Sequence, residues 1–152
     1  MVKTKLIALL GCLLLLAATT GVRAAEEKSK TFVVLVGVSQ YADPQILPRP
    51  HAEDDIKGFY DLLTNKDYLG VDADHIRLLA GSDDTSRHAS LATKENILNA
   101  MRWLGSAPGK NDMVLLVMVV QGAPLGERSC YFATDSTFKG RSKNAVAAAE
   151  IA

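Results

Sequence analysis

Two residues that end a long apolar run are the first candidates for chemistry. Residues 112–124 read DMVLLVMVVQGAP, so the run stops at Gln121 and Gly122. Its Val and Leu content without alternation predicts a strand covered on both faces in a parallel sheet, although a buried helix segment has a similar pattern. Active sites of open α/β sheets lie beyond the carboxyl ends of strands. We therefore expect residues 121–124 at the functional edge of a sheet.

The thiol of Cys130 is the second candidate for chemistry. It is the only cysteine after the first 24 residues, so no disulfide can form within that part of the chain. A thiolate here could act as a nucleophile. Its position beside Tyr131 and Phe132 instead favours a small buried residue of a strand, and we prefer this interpretation.

Metal, cofactor and nucleic-acid sites have no support in the sequence. His51, His75 and His88 are far apart, and none has a Cys or a second His at ligand spacing. No glycine pattern has the spacing of a phosphate-binding loop. The chain carries 17 basic and 17 acidic residues, which gives no basic field for nucleic acid. We expect no metal, no cofactor and no nucleic-acid partner.

Strand and helix patterns alternate along the chain and predict an α/β fold with a parallel sheet. Residues 81–90 and 125–129 are predicted loops, and 131–134 a short extended piece. The predicted elements are strands at 31–38, 75–80 and within 112–124, and helices at 51–66, after Thr93 and at 144–151. The loop at 39–50 should lie at the same sheet edge as Gln121, because both follow the carboxyl ends of parallel strands.

The first 24 residues have the layout of a secretory signal peptide. Lys3 and Lys5 precede an apolar stretch at 6–18, and Val22-Arg23-Ala24 is a small-residue cleavage pattern. The apolar stretch is shorter than the roughly 20 residues that span a bilayer. We expect an exported protein, periplasmic or secreted. An uncleaved segment that anchors the domain in a membrane is the alternative.

Removal of residues 1–24 divides the chain into a short tether and one domain. Residues 25–30 are the charged tether, and residues 31–152 form the α/β domain. Because the leader takes three basic residues with it, the mature chain has a net charge of −3. The mature domain is therefore mildly acidic.

Five segments, in order over residues 31–136, resemble the caspase and metacaspase-like cysteine peptidases. They read FVVLVGVSQYADP, LPRPHAEDDIKGFYDLL, HIRLLAG, ATKENILNAMRWL and DMVLLVMVVQGAPLGERSCYFATDS. The resemblance implies a three-layer caspase-like sandwich with a mostly parallel sheet, incomplete at its C-terminal side. It also implies descent from cysteine-type endopeptidases.

The resemblance assigns a catalytic position to Gln121. In the family the matching strand ends in Ser-Gly-His-Gly, and that His is the general base of a Cys–His dyad; here the four positions are Val119, Val120, Gln121 and Gly122. A Gln amide has no proton that titrates near neutral pH, so it cannot accept the thiol proton. Gly122 matches the glycine whose N–H contributes to the oxyanion hole. The family's Cys follows a further strand that is absent up to Ala152.

Asp55 matches an Asp that, in metacaspase-like members, helps to bind a basic side chain of the substrate. A carboxylate in the first turn of a helix is equally expected, because it complements the helix dipole. The resemblance therefore gives Asp55 a substrate-binding role that the residue type alone does not require.

Three functions remain open, and catalytic activity is uncertain in all of them. We prefer an inactive caspase-like domain that acts as a peptide- or protein-binding module. The alternatives are a fragment of an active secreted cysteine endopeptidase that cleaves after basic or acidic residues, and an unrelated α/β domain that binds a small ligand. Without the Cys strand, the strand within 112–124 has an open apolar edge, which predicts strand addition by a partner or self-association.

Overall fold

A computed structural model describes residues 28–151, and the predicted signal peptide at 1–24 lies outside this range. Within it, no helix is both long and apolar enough to cross a bilayer. Short 3₁₀ turns occupy Ala73–His75, Thr85–Arg87 and Ala148–Glu150. The helices and strands are β1 Thr31–Gly37, α1 Ala52–Thr64, β2 Ile76–Ala80, β3 Ser90–Leu91, α2 Lys94–Ser106, β4 Met113–Val119, β5 Gly122–Leu125, β6 Arg128–Tyr131, α3 Arg141–Asn144 and β7 Val146–Ala147.

Two sheets organise the described chain. The larger has the order β3-β2-β1-β4, and all of its pairings are parallel. The smaller is antiparallel, with the order β5-β6-β7. The predicted α/β sandwich with a mostly parallel sheet is confirmed.

The side chains of β1 alternate between two apolar layers. Val33 and Leu35 pack with α1 in one cluster, whereas Val34 and Val36 pack with α2 in another. All four are fully buried, and burial of each such side chain contributes about 1.5–3 kcal/mol. The helices therefore cover opposite faces of the sheet, and β1 holds the three layers together.

The two long helices begin and pack as their sequences predict. Ile56 and Leu63 of α1 are buried on the predicted apolar face. The Thr93 hydroxyl caps α2 by accepting a hydrogen bond from the Asn96 N–H at 3.2 Å. Gly37 admits a close neighbour at the end of β1, because a Cβ atom there would lie 2.6 Å from the Ala52 carbonyl oxygen.

The prediction that β4 is covered on both faces holds only in part, because Val117 packs on the α1 side and Met118 on the α2 side, whereas Met113 and Val114 are exposed. Within residues 28–151, β4 pairs only with β1 and forms an edge of the sheet. Met113 is 62% exposed and Val114 is 51% exposed. A continuous apolar run cannot distinguish a buried central strand from an edge strand.

The predicted loop at 125–129 is reduced to a two-residue turn at 126–127, and the predicted helix at 144–151 is wrong. Residues 122–131 form a β-hairpin whose turn contains Gly126, with a φ of +61° that favours glycine. The chain leaves helical geometry at Ala145, and Val146 is fully buried in a pairing with Tyr131. Tertiary pairing thus overrides the helix propensity of the alanine-rich segment. The predicted loop at 81–90 contains a 3₁₀ turn and the start of β3.

Candidate functional site

The carboxyl ends of the parallel strands meet at one edge of the sheet, as predicted. The loop after β1 reaches the end of β4 there, because the Gln121 N–H donates a 2.7 Å hydrogen bond to the Tyr41 hydroxyl. Burial raises the pKa of Tyr41, although the Gln121 N–H and the charge of Arg49 oppose this shift. The phenol therefore stays protonated and serves as a neutral link between the two strands.

Both the side chain and the backbone of Gln121 form hydrogen bonds with nearby backbone groups. Its Nε2 donates to the Gly122 carbonyl at 3.1 Å, and its backbone carbonyl accepts from the Phe132 N–H at 2.9 Å. These contacts fix the amide at the strand end, where the resemblance places a general base. An amide in this position can orient a neighbour but cannot accept a thiol proton.

Gly122 is exposed and begins β5 opposite Tyr131. A Cβ atom on Gly122 would approach the Cys130 carbonyl oxygen to 3.2 Å. That separation is tight, so close approach of the hairpin strands favours glycine here without any catalytic role. The oxyanion role of its N–H stays a prediction.

Cys130 lies in β6, as the preferred interpretation of the sequence predicted. Its side chain is fully buried, and its Sγ lies 3.4 Å from the Ala123 carbonyl oxygen. A nucleophilic thiol must reach its substrate, and this one does not reach the surface. Residues 28–151 contain no other cysteine.

Asp55 is exposed in the first turn of α1. Sequence reasoning missed Glu53, whose carboxylate accepts hydrogen bonds from the Ser39 N–H at 3.2 Å and from the Ser82 hydroxyl. The Ser39 hydroxyl in turn accepts from the Glu53 N–H at 3.1 Å. These hydrogen bonds connect α1 to the ends of β1 and β2. The residues involved are too far apart in sequence for a local motif to predict the contacts.

The outer edge of β4 presents backbone groups away from β1. The Met113 N–H donates to the Lys30 carbonyl, and the Val119 carbonyl accepts from the Val38 N–H. Because backbone direction alternates along a strand, Leu115 and Val117 also face β1. The N–H and C=O groups that face outward belong to Val114, Leu116 and Met118.

Apolar side chains flank this open edge. Leu115 and Val117 pack on the α1 side of the sheet, and Met118 packs on the α2 side. Beside Leu116 and Met118 is a groove of about 360 Å³. We call this surface the β4 ledge, defined by Val114, Leu116, Met118, Tyr131, Ala148 and Ile151.

The structure thus brings Gln121 and Gly122 to the edge next to the buried Cys130, and Asp55 is exposed in the first turn of α1. In the described part of the chain, no three His, Cys, Asp or Glu side chains are grouped closely enough to hold a metal ion. No protein-family model matches this sequence, and no curated protein is significantly similar to it.

Proposed function

We propose that this chain is a non-catalytic caspase-like domain that binds extended polypeptide by strand addition at β4. The observation that carries the proposal is the outward-facing backbone of β4 beside the β4 ledge. An open strand edge supplies main-chain hydrogen bonds, and neighbouring apolar grooves select alternate side chains of the ligand. The preferred ligand is therefore an extended segment with apolar side chains on the face that meets the ledge.

Loss of catalysis rests on two residues. Gln121 occupies the position of the family's base and has no titratable proton near neutral pH. Cys130 is fully buried in β6. A base and a reachable nucleophile are both required for thiol-dependent acyl transfer.

The binding energy would come from backbone pairing and from apolar burial. Each hydrogen bond contributes about 0.5–1.5 kcal/mol net. Apolar surface removed from water contributes about 25 cal/mol per Å². β4 contains no charged residue. Charged side chains on the bound strand therefore add nothing to the affinity for β4.

Two substitutions at one position separate backbone pairing from side-chain contact. The probe is a fluorescein-labelled heptapeptide of alternating valine and threonine, and the readout is fluorescence anisotropy. Leu116→Ala removes the ledge side chain but keeps the outward N–H, whereas Leu116→Pro removes both. Proline is tolerated on an edge strand where its N–H would face solvent. We expect Leu116→Pro to bind about tenfold or more weakly than Leu116→Ala.

Equal affinities of the two variants, with equal urea unfolding midpoints, would exclude strand addition at β4. Catalysis is tested separately with fluorogenic peptides that carry Arg, Lys or Asp before the scissile bond. We expect no cleavage above background. Cleavage that titrates with a thiol reagent would exclude the non-catalytic assignment.

A further inference from the structure

A second cleft lies beside β2, on the other side of β1 from β4. It has a volume of about 460 Å³, within the range of small-ligand sites. Both helix layers and the loop before β3 contribute to its walls. The residues that matter for its chemistry are Tyr60, Asp74, Arg77, His88, Asn99 and Trp103.

The floor of the cleft is an open stretch of strand. β3 pairs only with Leu79 and Ala80 of β2. The Ala80 carbonyl faces β3, since it accepts a 2.8 Å hydrogen bond from the Ala92 N–H. By alternation, the Leu78 N–H and the Ile76 carbonyl also face away from β1, and both residues line the cleft. A short chain in line with β3 could therefore pair with the first half of β2.

Arg77 is the cation with hydrogen-bonding capacity left for a ligand. Its guanidinium carbon lies 4.4 Å from the centre of the Trp103 ring. Its Nη1 makes only long contacts of 3.4 Å with the carbonyls of Asp74 and Ile76. Among residues 28–151, no carboxylate oxygen lies within 4.0 Å of it.

The neighbouring Arg87, in contrast to Arg77, is paired with carboxylates of this chain. Its guanidinium is held by Asp61 at 2.7 Å and by Asp84 at 2.9 Å. These two carboxylates occupy its donors and fix its position. Arg77 is stacked on an aromatic ring, and within residues 28–151 its Nε and Nη2 make no hydrogen bond. These two donors can bind a carboxylate in a bidentate manner.

We infer that this cleft binds a short extended peptide beside β2, and that Arg77 binds a carboxylate of that peptide. A strand of three residues spans about 10 Å, which is enough to pair with both the Ile76 carbonyl and the Leu78 N–H. The carboxylate belongs either to an acidic side chain or to a chain terminus. Asp74 lines the same cleft, so its charge opposes the ligand and limits the affinity.

Trp103 supplies the readout, because it is the only tryptophan of the chain. The probes are acetyl-Val-Glu-Val-amide, its Val-Gln-Val counterpart, and the Val-Gln-Val peptide with a free terminal carboxylate. We expect saturable changes in Trp103 emission with the Glu peptide, the free-acid peptide or both. The uncharged amide should bind at least about tenfold more weakly, because it cannot form a charge-assisted hydrogen bond with Arg77.

Variants assign the effect to Arg77. Arg77→Gln should weaken binding of the carboxylate peptides about tenfold or more, and Arg77→Lys should fall between it and the wild type. Arg128→Gln removes an exposed guanidinium elsewhere and should leave binding unchanged. Asp74→Asn should strengthen binding, because it removes the opposing charge. Unfolding midpoints confirm that each variant is folded.

Three results would overturn the inference. The first is an equal response to the charged and uncharged peptides. The second is unchanged binding in Arg77→Gln. The third is no response of either Trp103 emission or the Leu78 amide signal in NMR to any peptide. Acetate alone could also saturate the change in Trp103 emission. If it did so with the same affinity as the peptides, the inference that the ligand pairs with β2 would be overturned.

Discussion

At the scale of single residues, hydrogen bonds within the protein hold the carboxyl edge of the sheet together. Gln121 binds Tyr41 and its own neighbour, and Glu53 binds Ser39 and Ser82. The Tyr41–Gln121 and Glu53–Ser82 contacts join segments that follow different strands. These hydrogen bonds therefore stabilise the edge without a bound ligand.

Removal of the Tyr41 hydroxyl should measure this linkage. Tyr41→Phe leaves the Gln121 N–H without its 2.7 Å acceptor, so we expect the free energy of unfolding to fall by about 1 kcal/mol. Urea denaturation gives the value. Tyr68→Phe is the control, because Tyr68 is 69% exposed. Equal losses in both variants would show that the Tyr41 hydrogen bond has no special role.

Sequence reasoning located some of these residues and missed others. Gln121 and Gly122 were placed at the edge because an apolar run ends there. Tyr41 was missed because its partner is 80 residues away, and Glu53 because its serine partners are 14 and 29 residues away. Contacts over such separations are created by the topology of the sheet and have no local signal.

At the scale of elements, the approach of α1 to β1 depends on one glycine. Gly37→Ala would place a Cβ atom 2.6 Å from the Ala52 carbonyl oxygen, so we expect a loss of about 1–3 kcal/mol. Gly58→Ala is the matched control within α1, where an added Cβ has no neighbour within 4 Å. It should raise stability by up to about 1 kcal/mol. Thermal unfolding measures both effects. Equal shifts of the unfolding temperature in the two variants would refute the special role of Gly37.

A second element-scale prediction concerns the attachment of residues 81–90 to α1. The Arg87 hydrogen bond lowers the pKa of Asp61, and the Ser86 hydroxyl and then Arg87 lower the pKa of Asp84. Carboxyl groups with lowered pKa values stabilise the fold above their ordinary values near 3.8. That stabilisation is lost as the pH falls through the lowered values.

Arg87→Met should therefore lower the urea midpoint at about pH 7, and this effect should shrink steadily as the pH falls below about 4. Arg102→Met is the control, because Arg102 bonds the neutral Asn99 amide, and its effect should not depend on pH in this range. A pH-independent effect of Arg87→Met would contradict the ion-pair explanation.

The elements that the sequence predicts well have a clear local pattern. β1 and β2 are apolar runs, and α1 and α2 have apolar residues at helical spacing. β3 and β7 contain two residues each, too few for a pattern. The β5-β6 hairpin was missed because its turn residues, Gly126 and Glu127, lie within a segment that reads as a polar loop.

At the scale of the whole molecule, the β4 edge should govern association. The chain without residues 1–24 is expected to self-associate at high concentration, because open apolar edges pair with one another. Leu116→Lys introduces a charge on the ledge and should shift the molecule toward monomer, as measured by light scattering. A sharp monomer peak for the unmodified chain at high concentration would contradict this prediction.

The measurement that tests the account most directly is amide hydrogen exchange along β4. In the free monomer, the outward amides of Val114, Leu116 and Met118 should exchange rapidly, and those of Leu115 and Val117 slowly. Addition of the valine–threonine heptapeptide should slow the outward amides and leave the inward ones unchanged. Rapid exchange of the outward amides at saturating peptide would show that polypeptide does not bind at β4.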